Sequence, residues 1–404
     1  MELRDVEVSA SPRGSGFARL RGEVTYDDAA HPAEEYWFDV ASPLPEVLTT
    51  SGNPWLACLA PVAATIGEPL RLGPPVDVGL LENIRELLRI WTAWYPNLRP
   101  VSIEANIGQA PPRHERRTAS FFSGGVDSFF TALRHANGEG TPRTEEIDDL
   151  IFIHGYDIPL ENGAAYSATL PVLERAAEEL DRRLVVTATN LRATRFGATD
   201  WCRLSHGAAL AAVGLALEPA YATCLIPSSA GYRDLRFWGS HPLTDPLFST
   251  STTRVVHDGP AFMRAEKTEY ISTSNIALRA LRVCWRSASS LNCNACNNCY
   301  RTMLTLEALG ALGRCSTFDS GALDLRRAER IYCPHSYDIR QYGYVRDLAE
   351  RNGRADIVRA VDRSLTGSAR LKKRVDFLRG MRDRRILWRW AKPLEDRLLR
   401  EWLV

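Results

Sequence analysis

No apolar run in this chain reaches the length needed to cross a bilayer, and the first residues, MELRDVEVSASPRG, lack the apolar stretch of a signal peptide. A spanning protein is excluded, and a cytoplasmic one with no membrane partner is expected. An excess of either charge is also missing. With 50 Lys+Arg against 49 Asp+Glu, the whole molecule offers no field for nucleic acid or a membrane, so any basic surface is local. Repeats and low-complexity tracts are absent, which excludes solenoids and long disordered linkers. No GxxxxGK[ST] loop occurs, so a Walker A site is excluded. Cysteines number only nine in 404 residues. In a reducing compartment, those that cluster read as metal ligands rather than as disulfides.

A chain this long exceeds what one hydrophobic core usually supports, and additions to a main domain are expected. Residues 1–112 read as an N-terminal α+β appendage. FARLRGEVTY and YWFDV alternate like strands, and VGLLENIRELLRIWTAWY has the apolar spacing of an amphipathic helix. From 113 to 310 apolar runs alternate with helical segments: TASFF, LIFIHGY, LVVTATN and YATCLIPSS as strands, the last followed by a long loop. Strands buried on both faces and separated by helices predict an α/β fold, a doubly wound parallel sheet. Residues 311–404 read as a helical, basic C-terminal region.

SGGVDS, Ser123 to Ser128, falls at a strand-to-helix turn, where the first helical amides lack partners and bind anions. Gly124 and Gly125 let backbone approach phosphate oxygens, and Ser123 and Ser128 add hydroxyl donors. Asp127 offers a carboxylate for Mg²⁺. The plainer alternative is a capped glycine turn, but a loop after the first strand of a parallel sheet lies where such sheets bind ligands.

Ser123, Gly124, Gly125, Val126, Asp127 and Ser128 together resemble the SGGxDS signature of the PP-loop ATP pyrophosphatases, which cleave ATP between its α- and β-phosphates. The resemblance implies an adenine nucleotide α-hydrolase-like sheet over about 117–310, with ATP and Mg²⁺ as cofactors. It also implies a base site beyond the second strand at His154, Gly155 and Tyr156, by backbone contacts more than side chains. Ordinary strand-end packing is the alternative for His154 and Tyr156.

CWRSASSLNCNACNNCYRTM places Cys284, Cys293, Cys296 and Cys299 in a C-x8-C-x2-C-x2-C pattern. Each C-x2-C turn brings two sulfurs to one side, so four thiolates can close on Zn²⁺ as a structural site. This segment, with Trp285 and Arg301, looks like the C-terminal zinc segment of 7-cyano-7-deazaguanine synthase. RAEKTEYI resembles that family's lysine-bearing helix start, which implies that Lys267 offsets charge as pyrophosphate leaves. A solvated first-turn lysine is the alternative. The first 110 residues, the tail and GSHPLTDPLFSTSTTRVVHDG depart from the family. That last stretch carries His241, Asp245, Ser249, Thr250, His257 and Asp258, and the segment from Ser228 to Asp258 is expected to border the phosphate pocket. There His241, Asp245 and His257 would hold the acceptor, unless the stretch is a surface loop with satisfied polar groups.

The expected activity is an AMP- and pyrophosphate-forming ligase that adenylates a carboxylate or amide oxygen of a small molecule, after which nitrogen displaces AMP. No glutaminase segment is apparent, so ammonia comes free or from a partner protein. The alternative is a thiolating enzyme with a sulfur donor, or an RNA-modifying enzyme acting on tRNA. For thiolation Cys202 occupies a helix start that would lower its pKa, unless it is simply buried. For RNA, Arg370–Arg400 carries 12 Lys+Arg against 4 Asp+Glu, with Trp388 and Trp390 interleaved. Val375, Leu378, Ile386, Leu387 and Leu394 are spaced to pack that segment on the body, and the sequence leaves oligomeric state open.

Overall fold

A computed structural model of the protein describes residues 1–14, 16–41, 47–108, 117–139, 145–286, 290–381, 385–400 and 402, with backbone alone at 385–390 and 400. The expected boundary at 112/113, the side chains of Trp388 and Trp390, and those of Ile386 and Leu387 lie outside the described residues. The chain forms two compact units: Met1–Ser123 with Asp127–Tyr166 and Leu173–Phe262, and Met263–Val404 with the short pieces Gly124–Val126 and Ser167–Val172. No helix among the described residues is long and apolar enough to cross a membrane.

The first unit is α/β. Ten strands are joined in one sheet: β1 (Glu2–Ala10), β2 (Phe17–Thr25), β3 (Glu34–Ala41), β4 (Leu70–Val76), β5 (Ile103–Ile107), β6 (Arg117–Phe121), β7 (Asp149–His154), β8 (Arg183–Thr189), β9 (Tyr221–Pro227) and β10 (Arg254–Asp258). Their order is β10-β9-β6-β7-β8-β3-β2-β1-β4-β5. The five from β6 to β10 are mutually parallel, with the order reversing at β6. β3 pairs antiparallel with β8, Phe38 opposite Thr189, so the N-terminal strands extend the same sheet. β10 takes the place of part of the expected long loop and pairs in register with β9 from Arg254↔Thr223 to Asp258↔Pro227.

Helices of this unit are α1 (Asn53–Ile66), α2 (Val78–Trp94), α3 (Val126–Ala136), α4 (Gly163–Glu179) and α5 (His206–Ala216). In α2 the side chain of Asp77 accepts from Leu80 N at 3.0 Å, and Leu80, Ile84, Leu87 and Trp91 form the buried stripe. α1 has no such stripe, because everything from Asn53 to Ala64 is buried, much of it within one core that includes α5, α2 and the sheet.

At the N-terminal edge of the parallel strands, buried Asp149 of β7 joins four of them. It accepts from Arg117 (3.0 and 2.7 Å), Arg183 (2.8 and 2.9 Å) and the Tyr221 hydroxyl (2.8 Å). Asp149→Ala removes the carboxylate that two guanidinium groups and a phenol share. Because Arg183 can reach water, a loss near the low end for a broken buried pair is expected, about 3 kcal/mol by urea unfolding. Asp149→Asn, which keeps one acceptor oxygen, is expected to lose less, and equal losses would mean the charge contributes nothing.

The second unit is helical: α6 (Arg264–Ile271), α7 (Asn275–Ala280), α8 (Asn297–Ala308), α9 (Leu325–Ala328), α10 (Ser336–Arg351), α11 (Ala355–Arg379) and α12 (Arg385–Arg400). Tyr300 and Leu304 of α8, Tyr342 and Val345 of α10, and Ile357 and Val361 of α11 form its core.

Candidate functional site

SGGVDS forms the turn from β6 into α3. Gly124 has φ 75°, the left-handed region that a side chain resists. Its carbonyl accepts from Arg282 N at 2.8 Å. Asp127 lies in the first turn of α3 and is half-buried. The other end of α3 is fastened to β10: buried Asp258 accepts from Thr131 Oγ1 (2.7 Å), pairs with Arg134 and contacts His135 Nε2 at 3.1 Å. Burial opposes its charge, but the His135 contact and the Arg134 guanidinium outweigh it and hold the carboxyl well below the usual range. Asp258 therefore anchors the helix that follows the loop.

Beyond β7, the side chains of His154 and Tyr156 are committed to packing. Arg13 Nη2 donates to His154 Nδ1 (2.8 Å), the other ring nitrogen contacts Pro159 O (3.2 Å), and the ring stacks on Tyr166 at 4.2 Å. Burial, with the Arg13 charge, pulls the imidazole down to about 4, so it stays neutral. Tyr156 donates to Ala209 O at 2.7 Å. Gly155 has φ 110°, and a Cβ there would meet Thr189 O at 2.1 Å. The backbone is partly used as well, with Gly155 N donating to Ile158 O (2.9 Å) and Tyr156 O accepting from Arg192 Nη1 (2.8 Å), and it borders a cavity of about 210 Å³ between the ends of β7 and β8 that Gly155, Tyr156, Thr189 and Arg192 help to line. That is smaller than a pocket for a drug-sized ligand.

His241, Asp245 and His257 come together. Asp245 is fully buried and accepts from His257 Nδ1 (2.7 Å), Ser240 Oγ (2.6 Å) and His241 N (3.1 Å). His257 turns Nδ1 to the carboxylate, and its buried Nε2 has no hydrogen-bond partner. A buried imidazole nitrogen left so is costly unless something fills the place. The His241 ring meets Trp94 edge-on at 5.1 Å, its Nδ1 accepts from Leu243 N, and burial lowers its pKa. Two neighbours escape sequence reasoning. Ser240 holds the second hydrogen bond to Asp245, and His206 opens α5 beside Gly239, whose Cβ would lie 2.6 Å from the ring. Ser249 and Thr250 are used locally instead: Ser249 accepts from Val255 N, and Thr250 donates to the Glu218 carboxylate while accepting from Thr252 N and Thr253 N.

Compared with models of known families, with curated proteins and with solved structures, the chain matches none.

In the second unit Lys267 lies on α6 and is 1 % exposed, so it is not a solvated first-turn lysine. A buried ammonium is retained only where partners hold it. The four cysteines converge as their spacing predicts, with their sulfurs within 4.8 Å of one another. Cys293 to Cys296 turns through Asn294 at φ 56°, and the start of α8 then carries Cys299 inward. Separations of 4.0 Å (Cys284–Cys296), 3.8 Å (Cys293–Cys299) and 3.5 Å (Cys296–Cys299) straddle the ~3.8 Å edge of a tetrahedron with Zn–S bonds of ~2.3 Å. Arg286 N and Cys296 N each point at a sulfur at 3.3 Å, which suits thiolates. The group can hold zinc, with no position left for substrate.

Cys202 fits the burial reading and not the lowered pKa that thiolation would need. It lies inside the turn Trp201–Ser205, and burial pushes the thiol up.

Proposed function

We propose that this protein is an AMP-forming ligase of the PP-loop ATP pyrophosphatase kind. It would adenylate a carboxylate or amide oxygen of a small molecule and let nitrogen displace AMP, as in 7-cyano-7-deazaguanine synthase-like enzymes. The observation that carries this reading is the SGGVDS turn. It holds a left-handed Gly124 and a first-turn Asp127 at the C-terminal end of β6, the strand where the order of the parallel strands reverses and where open α/β sheets bind ligands. Backbone amides of the turn and the Ser123 and Ser128 hydroxyls take the phosphates, and Asp127 takes Mg²⁺, which neutralises developing charge. Lys267 keeps the role that the resemblance gives it, a fixed cation toward departing pyrophosphate. Gly155 and Tyr156 offer backbone to the base. Nitrogen is favoured over sulfur because Cys202 lacks the lowered pKa of a persulfide carrier.

The deciding experiment incubates metal-replete protein with ATP, Mg²⁺ and a metabolite library. AMP with pyrophosphate supports the reading, and ADP with phosphate defeats it.

Acceptor selection is assigned to His241, Asp245 and His257. Each changed singly to Ala is expected to leave ATP affinity within about threefold, while at least one cuts acceptor-dependent AMP formation about tenfold or more, the scale of lost positioning. His257 is the strongest of the three, since its Nε2 is the atom still open. Full turnover in all three variants would move acceptor selection to the N-terminal strands.

A further inference from the structure

The nearly neutral chain hides a local surface that the ligase reading does not use. α11 and α12 lie side by side and form a groove of about 770 Å³. Arg370, Lys373, Arg374 and Arg397 line it, and no acidic residue does so among the described residues. Its floor is aliphatic: Leu371 is buried, and Leu378 and Leu398 are half-buried. Phe377 and Leu394, by contrast, are 68 % and 53 % exposed. Such side chains on the same face as four cations are not a merely solvated helix surface. Nor does the groove offer a stacking platform for bases. Trp402 is used in packing, its ring only 2.5 Å from where a Cβ on Gly367 would stand and edge-on to Tyr332 at 6.4 Å. Among the described residues Phe377 alone remains, whereas base binding to single strands uses successive aromatics.

We infer that the α11–α12 groove docks the protein on an anionic lipid bilayer, with Phe377 and Leu394 entering the headgroup–acyl boundary and Arg370, Lys373, Arg374 and Arg397 facing anionic headgroups. Basic amphipathic helices with Phe and Leu on the apolar side bind membranes in this way without spanning them, through buried apolar area plus electrostatic attraction. Charge complementarity selects the occupant: a surface with four cations and no acid rejects a basic partner, and its exposed apolar residues gain nothing from a purely polar one. The near-zero net charge of the whole chain is no obstacle, since headgroup attraction falls off within a Debye length and is felt only by the surface that touches.

Flotation of the full-length protein with vesicles of phosphatidylcholine alone, and of phosphatidylcholine with phosphatidylglycerol, tests the assignment. The protein is expected to float only with the anionic vesicles, and less as salt rises. Arg374→Gln should weaken partitioning about fivefold, the effect of one cation near such a surface. Phe377→Ser should weaken it about tenfold or more, as expected for losing one inserted aromatic side chain. Both residues are exposed, so unchanged thermal unfolding is expected to show that the variants fold. Absence from the anionic vesicle fraction at low salt overturns the inference, as does undiminished flotation of Phe377→Ser. A lipid-independent dimer dissolved by Phe377→Ser would assign the groove to a second copy instead. Binding of polyuridylate RNA, but not of vesicles, that is weakened by Arg374→Gln would assign it to RNA.

Discussion

Asp127→Asn is expected to fold and to bind zinc as the parent does, yet to release pyrophosphate from ATP roughly a thousandfold more slowly. The substitution keeps the shape of the side chain and removes its charge. Asp127 lies in the first turn of α3, half-buried, where an amide can still accept a backbone hydrogen bond. A carboxylate that holds Mg²⁺ is different, because the ion's charge contributes several kcal/mol to a phosphoryl transition state, and each 1.4 kcal/mol is tenfold in rate. The opposite end of α3 is held by Thr131, Arg134 and His135 on Asp258, which keeps the helix in place when its start is altered. Undiminished pyrophosphate release by the folded variant would falsify the assignment of Asp127. A loss of folding would place it among structural residues, and a thermal melt separates the two.

Much of the parallel sheet is legible in the sequence, for a specific reason. TASFF, LIFIHGY, LVVTATN and YATCLIPSS are short apolar runs bounded by turn residues, and they became β6 to β9 because each is covered on both faces. β10 was lost in the polar stretch before Lys267. RVVHD has only two aliphatic residues, and its last two, His257 and Asp258, make the hydrogen bonds that give the strand its use. α1 was lost for the opposite reason. A helix buried from Asn53 to Ala64 is apolar all round, with Pro61 inside it, and shows no 3.6-residue period. The joining of the N-terminal strands to β8 is invisible in the sequence because it pairs backbone segments far apart in the chain, Phe38 opposite Thr189, with no turn between them to mark it.

The candidate site divides in the same way. Glycines and cysteines announce themselves, since a left-handed turn and a four-thiol cage each demand one residue type at fixed spacing. Neighbours drawn from distant segments do not. Ser240 and His206 are 34 residues apart, and only the fold brings Gly239 against the His206 ring. Arg13 reaches His154 across 141 residues of chain. Lys267 shows the limit of local reading from the other side, because nothing in RAEKTEYI distinguishes a buried lysine from a solvated one.

Removal of zinc is expected to unfold the second unit, and Cys296→Ser is expected to do so without any chelator. Purified protein should carry about one zinc per chain and no colour, whereas brown protein with iron and sulfide would replace the zinc assignment by a cluster. The size of the effect follows from what the site holds together. Cys284 precedes a loop, Cys293 and Cys296 flank the Asn294 turn, and Cys299 lies in the first turn of α8, whose residues Tyr300 and Leu304 belong to the core shared with α10 and α11. Without a cation the sulfurs share charge unevenly: the contact between them pulls the Cys296 thiol down and pushes Cys299 up. Four thiolates this close repel one another unless a divalent ion lies between them. Structural zinc in small domains contributes roughly 10–16 kcal/mol at neutral pH, as much as or more than the whole stability of an ordinary domain. Dialysis against a chelator should therefore abolish the cooperative unfolding transition of the α8–α11 core, and added Zn²⁺ should restore it. In Cys296→Ser, loss of solubility should come before any selective change in a kinetic step. A soluble, fully active Cys296→Ser protein without metal would show that the four thiols pack as an ordinary core.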